Sequence, residues 1–151
     1  MAQASLTRLE IVSNDALVRP MDPRQWQGTP VVLYFWGEWC RACLRSTPEV
    51  VGVAERHPDV RFVFVNTDTS PKALSVVVPG NVVDARVDAA SFGPEIMRKR
   101  AFRFVELGLV FGIPAYYVID ATGVVRHAGN GSRFAAALPG LLKGLSPSVR
   151  P

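Results

Sequence analysis

The chain has 151 residues, a mass of 16.5 kDa and 48% hydrophobic residues, which fits one well-buried domain and excludes two of ordinary size. Its two cysteines exclude a multi-bridge disulfide scaffold and a four-cysteine zinc site. The net charge of +4 includes a basic cluster at residues 98–100, without the aromatic residues and motifs typical of nucleic-acid binding. We therefore expect one domain with no nucleic-acid partner. No stretch reads as a signal peptide or a membrane span.

The first third of the chain predicts an N-terminal arm, a buried strand and a helix. Residues 1–30 are punctuated by proline and glycine, which indicates a connecting arm with a short strand near residues 6–12. The run "VVLYFW", residues 31–36, is continuously apolar, as in a strand buried on both faces. Residues 42–56 repeat apolar positions at intervals of three and four, which predicts a helix ended by Pro58. The positions expected to be buried in that helix are Cys43, Thr47, Val50, Val51 and Ala54.

The middle of the chain predicts a second buried strand followed by a longer, mixed segment. The run "VRFVFVN", residues 60–66, completes a strand-helix-strand order, which implies a parallel crossover and an α/β fold. Residues 70–78 predict a short helix, residues 82–87 an extra strand and residues 94–108 a longer helix. The side chains expected on that longer helix are an outer Glu95–Lys99 pair and the buried Met97, Ala101, Phe104 and Val105.

The last third changes from a strand-helix pattern to a hairpin. Residues 115–119 and 124–129 read as two strands joined by a tight turn that carries glycine, an antiparallel hairpin. Residues 132–144 predict a final amphipathic helix, which Pro139 is expected to kink or split. Residues 146–151 are expected to form a tail.

Both cysteines fall at the junction between the first buried strand and the helix after it. Cys40 is expected in the first helical turn, where unpaired N–H groups and the helix dipole stabilise a thiolate, so we predict that it is the nucleophile. Cys43 lies one turn deeper on the apolar face, within reach of a mixed disulfide on Cys40, and is the predicted resolving thiol. The cation of Arg41 is expected to stabilise the thiolate further and to raise the reduction potential.

Two other uses of the cysteines remain open at this point. A zinc site would have to recruit His57 and His127, because the chain has no other histidine. A structural disulfide across two intervening residues would close too small a loop to constrain the unfolded chain much. We favour redox chemistry and expect no metal.

The segment "VVLYFWGEWCRAC" followed by "LRSTP", with "FGIPAYYVIDATGVV" downstream, resembles the thioredoxin superfamily over residues 31 to about 144. The resemblance implies a thioredoxin-like fold, with a central mixed sheet flanked by helices over residues 31–145. It also implies a cis peptide bond at Ile113–Pro114 facing the cysteines, beside which the backbone of Ile113 pairs with the substrate chain. The expected substrate contacts are Trp39, Ala42, Ile113 and Pro114.

An insert at about residues 69–110, together with the N-terminal arm and the final hairpin, resembles the TlpA/ResA/DsbE group within that superfamily. The resemblance implies a thiol-disulfide oxidoreductase without a cofactor, acting as a reductase on disulfide-containing or dithiol proteins and served by an upstream redox protein. It also implies a bacterial periplasmic or other extracytoplasmic location, with a membrane anchor outside the sequence in hand. The alternatives are a disulfide-donating oxidase or isomerase, a Cu(I)-delivery module and a cytoplasmic thioredoxin.

The sequence departs from these families at two positions, of which Tyr34 bears on proton transfer. Tyr34 stands where thioredoxins have a buried aspartate beneath the resolving cysteine. Ser46 stands where the TlpA/ResA/DsbE group often has an acidic residue. We therefore expect Tyr34, Glu38 or water to take over the role of that carboxylate, with Tyr34, Glu38 and Arg41 modulating the thiol pair.

Overall fold

The computed structural model of the protein describes residues 3–4, 9–12, 18–20, 24, 27–68, 78–87, 89–99, 101–104, 107–131 and 133–145. Among these residues the helices are α1 (Arg41–Arg56), α2 (Ala89–Lys99) and α3 (Phe134–Lys143). The strands in the same described ranges are β1 (Gln3–Ala4), β2 (Leu9–Val12), β3 (Val18–Pro20), β4 (Val31–Trp36), β5 (Arg61–Asn66), β6 (Val82–Val87), β7 (Ala101–Phe104), β8 (Gly108–Phe111), β9 (Ala115–Ile119) and β10 (Val125–Asn130).

A seven-stranded mixed sheet forms the centre of the fold, in the order β10-β9-β4-β5-β6-β2-β3. Strands β4, β5 and β6 are parallel, whereas β9 runs antiparallel to β4 and forms the predicted hairpin with β10. A smaller sheet has the order β1-β7-β8. The predicted α/β class and mixed sheet are confirmed, and β6 occupies the residues predicted for the extra strand.

Strand β4 is buried on both faces because layers of side chains cover the central sheet on each side. Its odd-numbered side chains pack in one cluster with α2, β7 and β8. Its even-numbered side chains pack in a second cluster with α1 and α3. All six residues of β4 are therefore buried, as the continuous apolar run predicted. This arrangement fixes the carboxyl end of β4 and the start of α1, where both cysteines lie.

The prediction of a helix over residues 94–108 is wrong in its second half. Helix α2 ends at Lys99, and the next described residues form the antiparallel strands β7 and β8. Phe102, Phe104 and Val110 are buried there with the period of two that a strand requires. The first half agrees with the prediction: Met97 is buried and Glu95 pairs with Lys99 at 3.0 Å.

Two other expectations differ from the structure, and a third concerns residues that the structure does not describe. Residues 1–30 hold the strands β1, β2 and β3 where a connecting arm with one short strand was expected. Helix α3 runs through Pro139 without splitting, and Leu138 and Leu142 on either side of the proline are both buried against the sheet. The short helix expected from residue 70 falls almost wholly outside the described residues. In the described part of the chain, no helix has both the length and the apolar character of a membrane span.

Candidate active site

Cys40 caps the N-terminus of α1, and Cys43 lies close to it in the first turn of that helix. The Cys40 backbone is extended, and the backbone N–H of Cys43 donates a hydrogen bond to Cys40 Sγ at 3.1 Å. Cys40 is 6% exposed and Cys43 is fully buried. The helix itself therefore solvates the Cys40 sulfur through one of its unpaired N–H groups, an arrangement that favours the thiolate.

The cis peptide bond implied by the resemblance is present at Ile113–Pro114 and lies beside the cysteines. Cys40 Sγ is 3.8 Å from the carbonyl oxygen of Ile113. The two segments meet because β9, which follows Pro114, pairs directly with β4, which leads to Cys40. The antiparallel β4–β9 register thus brings residues 73 positions apart to one site.

The loop between β4 and α1 is held by an acidic residue that the sequence reasoning missed. Asp68 Oδ2 accepts a hydrogen bond from the backbone N–H of Glu38 at 2.7 Å. A Cβ atom built on Gly37 would lie 3.0 Å from Trp39 Nε1, 3.1 Å from Asp68 Oδ1 and 3.1 Å from Ile113 Cδ1. Asp68 follows β5, which is parallel to β4, so both strands deliver their next residues to the same edge of the sheet. The parallel crossover predicted from the sequence was therefore the signal that could have placed Asp68 near the cysteines.

The surface around Cys40 combines exposed apolar and cationic side chains. Trp39 is 57% exposed and Leu44 is 56% exposed, one on each side of Cys40 in the sequence. Arg41 and Arg45 are also exposed, whereas Ala42 is half-buried against the cluster that contains Cys40. Trp39, one of the expected substrate contacts, is therefore exposed beside Cys40, and Leu44 is a second exposed apolar side chain that the sequence reasoning did not name.

Tyr34 lies beneath the first turn of α1, in contact with the backbone of Cys43. Its hydroxyl donates to the Cys43 carbonyl oxygen at 3.2 Å and is hydrogen-bonded to Ser46 Oγ at 2.6 Å and Thr47 Oγ1 at 2.9 Å. Burial raises the pKa of Tyr34, and the hydrogen bonds from Ser46 and Thr47 oppose that effect only in part. The phenol is therefore neutral near pH 7 and available as a hydrogen-bond donor.

The two histidines lie away from this site. His57 caps the C-terminus of α1, with Nδ1 2.9 Å from the Val53 carbonyl oxygen, and the length of α1 separates it from the cysteines by about 24 Å. His127 lies on β10, paired with Val118 of β9. This geometry excludes His57 as a ligand of a zinc ion held by the two cysteines.

A family model described as thioredoxin-like matches residues 28–123, a range that includes both cysteines and the cis peptide bond. The chain belongs to the thioredoxin-like family. The resemblance inferred from the sequence is confirmed. This assignment and the geometry agree on one location for the chemistry, the junction of β4 and α1.

Two relatives from Mycobacterium tuberculosis are similar in sequence to this thioredoxin-like chain. The protein DipZ is 30% identical over 109 residues, covering 72% of this chain and 15% of DipZ. The soluble secreted antigen MPT53 is 34% identical over 77 residues, covering 51% of this chain and 44% of the antigen. The thioredoxin-like chain thus matches less than half the length of either relative.

One solved structure shows the same fold over nearly the whole chain. A thiol:disulfide interchange protein of the thioredoxin family from Chlorobium tepidum aligns with a TM-score of 0.59 at 20% identity, covering 96% of this chain and 98% of that one. At this level of identity the likeness shows the fold of the thioredoxin-like chain.

Proposed function

We propose that this protein is a thiol-disulfide oxidoreductase, in which Cys40 and Cys43 exchange a disulfide with partner proteins. The observation that carries the proposal is the position of Cys40 as the N-cap of α1, with its sulfur 3.1 Å from the Cys43 N–H and 3.8 Å from the Ile113 carbonyl oxygen. The Cys43 N–H and the helix N-terminus stabilise this sulfur as a thiolate, the nucleophilic form, and the Ile113 contact places it beside the cis peptide bond. The fully buried Cys43 is shielded from a partner but lies next to Cys40.

In the reducing direction the reaction proceeds through one mixed disulfide. The Cys40 thiolate attacks one sulfur of the partner's disulfide, forming a Cys40–partner disulfide and releasing the other partner sulfur as a thiolate that takes up a proton. Cys43 then loses its proton and attacks Cys40 Sγ, which releases the second partner sulfur. Two electrons pass from the pair to the partner, so the pair ends as a disulfide and the partner as a dithiol. An upstream redox protein must reduce the pair again.

We place the partner chain along the edge formed by the cis peptide bond. The backbone of Ile113 supplies hydrogen bonds to an extended substrate segment, while the exposed Trp39 supplies apolar contact. Pro114 and Ala42 complete the contact surface. The exposed Arg41 and Arg45 favour partners that carry acidic residues near their disulfide.

We assign the reducing direction from the resemblance to the TlpA/ResA/DsbE group, together with an extracytoplasmic location. The name of one relative supports the location, since MPT53 is a secreted antigen, and the name of the Chlorobium tepidum protein, a thiol:disulfide interchange protein, supports the exchange chemistry. Disulfide-bonded substrates are formed in such compartments. We also propose that Arg41, Glu38 and Tyr34 modulate the reactivity of the two thiols.

The test is reduction of the disulfides of insulin by dithiothreitol, with and without catalytic amounts of the protein. We expect the wild type to accelerate the reaction and Cys40→Ser to abolish the acceleration, because the variant lacks the nucleophile. Equal rates for the wild type and Cys40→Ser would overturn the proposal. Equilibration with glutathione then gives the direction: a potential near about −270 mV marks a reductase, and one near about −120 mV a disulfide donor.

A further inference from the structure

The buried side of Cys43 is held by hydroxyl groups from two elements of the fold. Its carbonyl oxygen is 2.8 Å from Thr47 Oγ1, 3.2 Å from the Tyr34 hydroxyl and 3.3 Å from Ser46 Oγ, so each hydroxyl is at a distance from which it can donate to this oxygen or to a neighbouring hydroxyl. Tyr34 comes from β4, whereas Ser46 and Thr47 lie on α1. We call Tyr34, Ser46 and Thr47 the hydroxyl cluster.

The hydroxyl cluster is closed to solvent. Tyr34 and Ser46 are fully buried and Thr47 is 7% exposed. The Tyr34 oxygen is within 2.9 Å of both other hydroxyls, so the three groups form one connected network. In a buried network a lost bond is not replaced by water at low cost, so each hydroxyl constrains the others. The carbonyl of Cys43 is therefore fixed relative to β4.

Cys43 is thus held through both polar groups of its backbone, and one of these contacts is to the sulfur of Cys40. Its N–H donates to Cys40 Sγ at 3.1 Å, while its carbonyl is held by the hydroxyl cluster. We propose that the hydroxyl cluster positions Cys43 for its attack on the mixed disulfide at Cys40, with Tyr34, Ser46 and Thr47 acting as positioning residues. The cluster lies behind Cys43, so it acts on this resolving step and leaves the first attack by Cys40 unaffected.

The chain offers a matched comparison for Tyr34 in the same layer. Tyr116 is also fully buried, and its ring centroid is 5.1 Å from that of Tyr34. Burial is the largest influence on the pKa of Tyr116 and raises it to about 12. The Tyr116 hydroxyl has no hydrogen-bond partner among the described residues. The variant Tyr116→Phe therefore removes a buried phenolic oxygen without removing a hydrogen bond to Cys43.

The inference rests on the proposed function, and a small aromatic disulfide separates its two steps. With excess 5,5′-dithiobis(2-nitrobenzoate), attack by Cys40 releases one coloured thiolate at a rate that rises with reagent concentration. Attack by Cys43 on the mixed disulfide releases a second coloured thiolate, at a rate that does not depend on reagent concentration. We expect Tyr34→Phe to slow only the second phase, by about two- to tenfold, the value of one buried hydrogen bond. Tyr116→Phe is expected to leave both phases unchanged.

A second pair of variants keeps the test decisive if Tyr34→Phe folds poorly. Thr47→Val replaces the hydroxyl by a methyl group of similar size and is expected to slow the second phase, whereas Thr47→Ser keeps the hydroxyl and is expected to restore it. An unchanged second phase in both Tyr34→Phe and Thr47→Val would overturn the positioning role. Equal slowing of both phases would overturn it too, because a general loss of structure affects both. If the wild type releases only one thiolate, the proposed function itself fails.

Discussion

The different environments of the two cysteines predict a large difference in their reactivity. Cys40→Ser and Cys43→Ala each leave one thiol, and serine retains an N-cap acceptor. A hydrogen bond from an N–H to a thiolate is worth about 1.5–3 kcal/mol, and the helix N-terminus adds about 0.3–1 kcal/mol. An ordinary thiol is only a few per cent ionised at pH 7, so stabilisation of the Cys40 thiolate increases its ionised fraction by at most roughly 30-fold.

Burial separates the two thiols further. Alkylation of Cys43 requires the first turn of α1 to open, with loss of the Tyr34 and Thr47 hydrogen bonds to its carbonyl. At about 1 kcal/mol each, these bonds slow the reaction by roughly another 30-fold. Because a stabilised thiolate is a weaker nucleophile, we expect Cys40 to react with iodoacetamide about 100 to 1000 times faster than Cys43 at pH 7.

The assay is the rate of iodoacetamide labelling of each single-thiol variant, followed by mass spectrometry. In urea sufficient to unfold both variants, the two rates should converge, since the difference comes from the folded structure. A ratio below about ten in the folded state would refute the assignment of Cys40 as nucleophile, as would faster labelling of Cys43.

Three further predictions concern charge and stability. Arg41→Ala should lower the reduction potential by about 5–20 mV, because an exposed cation stabilises the thiolate by about 0.3–1 kcal/mol; equilibration with glutathione measures the shift, and a rise would contradict it. Asn81→Ala removes an amide that lies 2.8–3.0 Å from three backbone carbonyls around the end of α1. Its free energy of unfolding in urea should fall by about 1–3 kcal/mol, whereas a fall below about 0.5 kcal/mol would mean that these contacts contribute little. Hydrogen bonds from the Thr122 hydroxyl, then the Val124 backbone N–H and then Arg126 hold the pKa of Asp120 below its ordinary value, so this stabilisation is present above about pH 4 and is lost as the pH falls further. The difference in melting temperature between the wild type and Asp120→Asn should therefore shrink below pH 4, and a constant difference would contradict this.

The sequence predicted those parts of the site that depend on local pattern. A continuous apolar run followed by a helical period placed Cys40 at a helix start, and the structure makes it the N-cap of α1. The cis bond at Ile113–Pro114 followed from the resemblance, since periodicity does not distinguish it from a trans proline at the start of a strand. Each of these features is encoded within a few neighbouring residues.

The hairpin of β7 and β8 could not be predicted in the same way. Met97, Ala101 and Phe104 fit a helical spacing, whereas Phe102 and Phe104 also fit the alternation of a strand. The structure favours the strand because β7 pairs with both β1 and β8, contacts with residues far from it in the sequence or across a turn. Tertiary pairing therefore decides a segment in which the local pattern is ambiguous.

The hydroxyl cluster lay beyond sequence reasoning for a different reason. Serine is mostly exposed in proteins, so nothing in the helical pattern of α1 indicated that Ser46 would be fully buried, although Thr47 was among the positions expected to be buried. Its partner Tyr34 is 12 residues away on β4. The sequence showed only that an acidic residue was missing at both positions. The structure shows that neutral hydroxyls occupy both positions, with Tyr34 and Ser46 hydrogen-bonded to each other at 2.6 Å.

The direction of electron flow depends on a sum of small contributions at this site. The potentials of a typical reductase and a strong oxidant differ by about 150 mV, which corresponds to about 7 kcal/mol in the stability of the dithiol relative to the disulfide. The hydrogen bond from Cys43 N–H to Cys40 Sγ and the cation of Arg41 both stabilise the reduced pair, by about 1.5–3 and 0.3–1 kcal/mol. Together they amount to about 1.8–4 kcal/mol, roughly a quarter to a half of that range, so the potential should lie between the two extremes unless the hydroxyl cluster offsets them. A potential at the reducing extreme would therefore show that the geometry favours the disulfide by several kcal/mol.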